Sequence, residues 1–258
     1  MGELRSTRDG SVLTLTIDRE RQRNSLSAAV IGELLTALRE AATDASVRVV
    51  VLSGAGEKAF CAGGDLASGP GEDGFLAAHE GRRQYARLLE TLASYEKPTI
   101  ARLNGLTLAG GLGLAVACDL AIAADDVQLG TPEINIGLFP YMVTAVLARA
   151  IPPKRMYELV LTGQRISASE AAAWGLINRA VPRAELDAAV SQLAAELAGK
   201  SPAIIRLGKR ALVQTRDLPL SPALELLASQ LSINSLTEDA MEGISSFLEK
   251  RPPDWKGR

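Results

Sequence analysis

Two glycine-rich junctions and one glutamate hold the chemistry that this chain shows most openly. The first junction is Phe60-Cys61-Ala62-Gly63-Gly64-Asp65-Leu66, shortly after an apolar run. The second is Leu108-Ala109-Gly110-Gly111-Leu112-Gly113, opening a stretch that is nearly free of polar residues. Small residues let a ligand approach the main chain, and N–H groups at a helix start have no intrahelical partner. Two such groups aimed at one oxygen form an oxyanion hole, usually the largest single contribution in acyl chemistry. Either loop alone is better explained by tight turns and close helix packing. Glu133 follows Thr131-Pro132. It can serve as an acid or base, but cap, first-turn proline and dipole-matched acid are also how an ordinary helix begins.

Other chemistries drop out on inspection. Gly111-Leu112-Gly113 begins like a dinucleotide fingerprint, yet the third glycine position holds Val116, and no phosphate-binding Gly-Lys-Ser/Thr occurs. There is no Gly-x-Ser-x-Gly elbow, and the single His79 reads as a surface helix residue. Cys61 and Cys118 sit among small apolar residues, where a buried, inert thiol is the default. Hydride transfer and serine hydrolysis are therefore set aside.

Composition narrows the class further. The chain has 258 residues, 47% of them hydrophobic but only 4% aromatic, so its core must be built from Ala, Leu, Val and Ile. Twenty-eight Lys plus Arg against 30 Asp plus Glu leave a net charge of −2, with no general basic footprint for nucleic acid. No apolar run approaches the ~20 residues of a membrane span, and the N-terminus lacks the apolar stretch of a signal peptide. Two cysteines make no disulfide framework and one histidine anchors no His-rich metal site. The expectation is a cytoplasmic, metal-free protein with no membrane or nucleic-acid partner.

The elements that must position these residues follow from hydrophobic period. Residues 12–18 (VLTLTID) alternate as a strand, and Ser27 can cap a helix with Val30, Leu34, Leu38 and Ala41 on one face. Residues 47–52 (VRVVVL) read as a buried parallel strand, 68–73 as a loop, 79–94 as a helix and 99–103 as a strand. Residues 104–118 start as a turn and become an Ala/Gly-rich helix buried on all sides. Two more strands are expected at 119–124 and 127–130. After Pro140 the pattern is almost wholly helical, with 174–181 as one strand interruption and final helices near 185–198, 202–216, 222–235 and 238–250. The fold class is α/β with a helical C-terminal region.

Together these segments resemble the enoyl-CoA hydratase/isomerase family, the crotonase superfamily, along nearly the whole chain. IARLNGLTLAGGLGLAVACDL (100–120) is the most specific match, and AFCAGGDL ending at Leu66 is an independent second. LGTPEINIGLFP (129–140), LTGQRISASEAAAWGLINRAVP (161–182) and EGISSFLEKRPPDW (242–255) complete five ordered matches. The resemblance implies a crotonase-like spiral of repeated ββα units over 1–198, bearing the CoA-thioester site. A helical C-terminal region, 199–258, would mediate assembly into a trimer or a dimer of trimers. It also implies an acyl-CoA thioester substrate and no separate cofactor. The backbone N–H groups of Gly64 and Gly110 would be the oxyanion donors and Glu133 the acid/base. Ala62, Asp65 and Leu66 would line the CoA path, Arg21 would stand near the nucleotide phosphates, and Phe247 and Lys250 would contact CoA from the C-terminal end.

One departure limits the reading. Familiar hydratases use two glutamates; the second matches Glu133, but the first falls on Gly113. Two carboxylates can hold a water and divide the acid and base roles, whereas one can still shuttle a proton between carbons. Hydration of a 2-enoyl-CoA is the leading expectation, since some single-glutamate members are hydratases or dehydratases. Δ3,Δ2-enoyl-CoA isomerisation and CoA-ester binding without turnover are the alternatives. Tyr141, after Pro140 where the family often has glycine, implies a pocket altered near Glu133.

Overall fold

The computed structural model describes residues 2–65 and 74–258; Leu66 and the loop expected at 68–73 lie outside the described residues. The chain begins with a hairpin, β1 (Leu4–Asp9) and β2 (Val12–Ile17), paired antiparallel. Helix α1 (Ala28–Thr43) follows, with Ser27 accepting from Val30 N at its start and Val30, Ile31, Leu34, Leu38 and Ala41 buried. That is the cap and the face that helical spacing predicts.

Then the chain winds. β3 (Val49–Gly54), β4 (Ala59–Cys61) and α2 (Gly74–Ala93) make one turn; β5 (Thr99–Leu103), β6 (Leu106–Leu108) and α3 (Gly110–Ala117) make the next. β7 (Leu120–Ala124), β8 (Gln128–Gly130) and α4 (Tyr141–Leu147) make a third. In each turn the first strand joins a large sheet and the second joins a small one. The large sheet runs β1-β2-β3-β5-β7-β10, with β10 at Arg179–Val181, and the small sheet runs β4-β6-β8-β9, with β9 at Arg165–Ser167. β3, β5 and β7 pair in parallel, as do β4, β6 and β8. This is the expected ββα spiral.

The strands missed by periodicity are those with none to show. β1 is LRSTRD, almost entirely exposed, and exists through its pairing with β2 across a turn at Gly10, where φ is +53°. β4, β6 and β9 are three residues long, too short for an alternation to register. They are held by position, not propensity. Buried amides do part of this work. Asn24 donates to the carbonyls of Ala55 and Ala59 at 3.0 and 2.7 Å, and Asn104 donates to Gly56 O at 2.7 Å while accepting from Gly54 N at 3.2 Å. The segment between β3 and β4 is thereby tied to the turns that precede and follow it.

The core is aliphatic, with Leu15, Ile17, Leu34, Leu38, Leu88, Ile100, Leu103, Leu112, Leu114, Ile122 and Leu129 fully buried around Phe60. Between α4 and α7 lie α5 (Pro153–Thr162) and α6 (Ala168–Ala173). α7 (Leu186–Ala198) buries Leu186, Val190 and Ala194 against the large sheet. Beyond it α8 (Pro202–Thr215), α9 (Leu220–Asn234) and α10 (Glu238–Glu249) pack mainly on one another, and α9 buries none of its residues. Among the described residues no helix is long and apolar enough to cross a membrane.

One glycine contact sets the spacing of the second and first turns. A Cβ on Gly111 would lie 2.2 Å from the Cys61 carbonyl oxygen, an approach no side chain permits. Gly111→Ala is therefore expected to force α3 and β4 apart and to lower stability by about 1–3 kcal/mol. Denaturant unfolding of the purified variant measures it.

Candidate active site

The first junction leaves β4 and runs beside Leu26. Leu26 N donates to Gly63 O at 2.8 Å, and Asp65 N donates to Leu26 O at 3.0 Å, a parallel bridge that pairs Leu26 with Gly64. In such a bridge the bonds are made by the residues flanking Gly64, so its own N–H faces away from Leu26. Gly64 is exposed, and a Cβ there would meet nothing within 4 Å.

The second junction turns at Ala109, whose φ of +53° is rare for a residue with a side chain. Ala109 N donates to Gly130 O at 2.9 Å, which fixes the turn to the end of β8. Gly110 is then the first residue of α3, where its N–H has no intrahelical acceptor. The two junctions touch. A Cβ on Gly63, at φ +102°, would come 2.6 Å from Ala109 Cβ and 3.4 Å from Gly110 N, and one on Gly110 would lie 3.4 Å from Leu26 Cδ1. Gly64 and Gly110, which are 46 positions apart, thus stand on contiguous backbone.

The same β6–β8 pairing brings in the carboxylate. Leu108 is opposite Gly130, and three residues beyond it Glu133 sits in a 3-10 helix, Pro132–Ile136. Thr131 does not cap that helix as the sequence pattern suggests; its hydroxyl donates to Leu159 O at 3.2 Å. Glu133 Oε2 is buried and has no hydrogen-bond partner among the described residues. Burial raises its pKa above the ordinary glutamate value, partly offset by a backbone hydrogen bond. A buried acceptor left unsatisfied is uncommon enough to need a reason. A carboxylate held ready for a proton is one.

Tyr85 was not singled out from the sequence. It occupies the buried stripe of α2 with Leu88, Leu89 and Leu92, a spacing that signals only core. Its hydroxyl nevertheless donates to Gly110 O at 2.7 Å. Its pKa is raised well above the usual tyrosine value by burial first, then by Cys61 and the charge of Glu133. At Gly113, where the family's other glutamate would stand, a Cβ would lie 2.3 Å from Tyr85 Oη. The room for that side chain is taken.

The other sequence candidates separate. Ala62 is half-buried next to Gly63 and donates its N–H to Arg23 O at 3.1 Å. Asp65 accepts from Arg19 Nη2 at 2.7 Å in a largely buried ion pair, so its side chain anchors the junction. Arg21 is exposed on the 3-10 turn Glu20–Gln22. Phe247 is 82% exposed on α10 and Lys250 caps that helix; no hydrogen bond or ion pair among the described residues joins either to the glycine junctions. His79 is exposed and stacks on Phe75. Cys61 and Cys118 are free and buried, and burial pushes both thiols up to about 12, which keeps them protonated and unreactive.

The enoyl-CoA hydratase/isomerase family model matches residues 7–258. The chain belongs to that family. It is 36% identical over 259 residues to the 2,3-dehydroadipyl-CoA hydratase of Escherichia coli, covering 100% of both chains. It is 36% identical over 266 residues to the carnitinyl-CoA dehydratase of the same organism, covering 99% of this chain and 98% of that one. The enoyl-CoA hydratase structure from Bacillus anthracis matches with a TM-score of 0.94 at 35% identity, covering 99% of this chain and 100% of that one. One from Mycobacterium smegmatis matches at 0.95 and 33%, covering 99% of each. The architecture is the crotonase fold.

In this enoyl-CoA hydratase/isomerase family member the buried carboxylate also has a stability signature. A carboxyl whose folded pKa is raised binds its proton more tightly folded than unfolded. Stability is then full below the unfolded pKa and falls as pH rises through the folded one. Glu133→Gln removes the charge and is expected to raise the Tm at neutral pH by on the order of 1–3 °C. The gain should vanish below the unfolded glutamate pKa, as thermal melts across pH would show.

Proposed function

We propose that this chain is an enoyl-CoA hydratase, adding water to a 2-enoyl-CoA thioester through an enolate. The observation that carries the reading is the pairing of two preorganised backbone N–H groups, on Gly64 and Gly110, with one buried, unpartnered carboxylate oxygen on Glu133. In this reading the thioester oxygen accepts from both N–H groups. Glu133 takes a proton from water as its oxygen attacks C3, and the electron pair of the double bond moves onto the thioester oxygen. The enolate then collapses and C2 receives that proton from Glu133, so the net change is one water. Each N–H donor is worth on the order of 3 kcal/mol in the transition state. Only protons and water move, so the proposal invokes no metal or redox cofactor. The names of the two Escherichia coli relatives, a hydratase and a dehydratase, support this direction.

Gly113 favours a second reading. With no second carboxylate at that position, Glu133 could remove a proton from C2 of a 3-enoyl-CoA and return it to C4, giving Δ3,Δ2-isomerisation. Crotonyl-CoA and 3-enoyl-CoAs, with products resolved by mass, decide between the two. A gain of one water identifies the hydratase, and a moved double bond at constant mass the isomerase. Unchanged substrates reject both and leave a CoA-ester binding protein. In an active protein Glu133→Gln is expected to lower kcat by roughly 10²–10⁴-fold with CoA-ester affinity retained. Gly64→Pro, which deletes one donor, should lower it by roughly 10²–10³-fold. Full turnover in either variant contradicts its assigned role.

Assembly and location belong to the same proposal. Leu224, Leu231 and Ile233 on α9 are 56%, 66% and 50% exposed, and Ile244, Phe247 and Leu248 on α10 are 64%, 82% and 73% exposed. Exposed apolar side chains in this number on neighbouring C-terminal helices point to an interface. We propose a homotrimer or a dimer of trimers in the cytoplasm, in which Phe247 and Lys250 reach a CoA only across a subunit boundary. Light scattering at micromolar concentration is expected to show three or six copies; a monomer would rule the proposal out.

A further inference from the structure

Tyr85 touches two places that the proposed chemistry uses separately. Its ring lies in the apolar stripe of α2, at 7% exposure, and its hydroxyl donates to Gly110 O at 2.7 Å. The Gly110 carbonyl and the Gly110 N–H share one Cα, so a bond to the first restrains the direction of the second. The same oxygen stands 2.3 Å from the point where a Cβ on Gly113 would be. A Cβ at 113 would also come 3.2 Å from Val143 Cγ2 and 3.5 Å from Leu89 Cδ2, so it would be crowded by more than the phenol. A side chain at 113 and the Tyr85–Gly110 hydrogen bond exclude each other in this packing.

We propose that Tyr85 is a positioning residue of the site: its hydroxyl aligns the Gly110 donor, and by occupying the room beside Gly113 it makes the site one that works with Glu133 alone. The inference rests on Gly64 and Gly110 being the thioester-oxygen donors. Burial keeps the phenol protonated far above working pH, and the nearby negative charge of Glu133 strengthens that bias. Tyr85 is then a fixed donor and moves no proton. Its effect reaches the substrate through the Gly110 peptide.

The test pairs two variants with two readouts. Tyr85→Phe keeps the ring and deletes the oxygen; Gly113→Ala keeps the oxygen but pushes it off Gly110. The readouts are kcat and KM on the enoyl-CoA that the wild type turns over, and the absorption red shift of a bound conjugated aryl-enoyl-CoA. That shift reports polarisation of the thioester carbonyl without requiring turnover. Tyr85→Phe is expected to lower kcat about tenfold, with KM within about twofold, and to shrink the red shift. Gly113→Ala should do the same and lose stability. The double variant should be no slower than either single one and more stable than Gly113→Ala, because the clashing oxygen is gone. A Tyr85→Phe enzyme with wild-type kcat and an undiminished red shift overturns the proposal while leaving the donor assignment standing. Kinetic losses that add in the double variant also overturn it. A wild type whose red shift is unaffected by Gly64→Pro removes the donor reading itself, and the proposal with it.

Discussion

Main chain lies directly against main chain where α3 meets the exit of β4, and the rest of the molecule is arranged to allow it. Gly111 faces the Cys61 carbonyl and Gly63 faces Ala109, each at a distance that leaves no place for a Cβ. Such contacts contribute little burial energy of their own. They are held by what surrounds them: parallel pairing of β4, β6 and β8, the Asn24 and Asn104 amides, and the Arg19–Asp65 ion pair that pins the far end of the first junction. An N–H group is useful as a catalytic donor only if it is fixed before the ligand arrives. Here rigidity comes from close backbone packing, while Gly64 itself is exposed.

Buried and half-buried carboxylates are treated unequally. Asp65 is largely buried but paired with Arg19, and Asp119 accepts from Lys209 and from Thr99. Glu133 alone among these acids has a buried oxygen with no partner among the described residues. Paired carboxylates hold structure. An unsatisfied one is displaced toward the pH range where it can exchange its proton, at some cost to the folded state. This contrast separates Glu133 from a helix-capping acid, a distinction that the Thr131-Pro132-Glu133 pattern could not make.

Legibility in the sequence followed element length and period. α1, α7 and the three C-terminal helices were readable to within a few residues because their apolar positions recur over several turns. β1 was not, because an exposed edge strand carries no alternation; of the three-residue strands of the small sheet β4, β6 and β9 went unread, while β8 fell within the strand expected at 127–130. The glycine junctions were visible as composition, yet their mutual contact is a property of the winding and not of either segment. Tyr85 was hidden for the opposite reason. Its place at i with Leu88, Leu89 and Leu92 is an ordinary core stripe, and nothing in α2 announces that its hydroxyl reaches another element. Gly113 was legible as a missing acid, but what fills that space was not.

The winding also permits an order in time. Strand order in the large sheet follows chain order from β1 to β10, and the small sheet grows the same way from β4 to β8. A chain emerging from the ribosome can therefore add each strand to an edge that already exists, starting from the locally closed β1–β2 hairpin. Each new turn closes over some tens of residues, so docking is stepwise. Gly64 belongs to the first turn of the spiral, Gly110 to the second and Glu133 to the third. A nascent chain halted before Gly130 would hold Gly64 and Gly110 and lack Glu133, so the proposed site cannot be complete before the third turn is made.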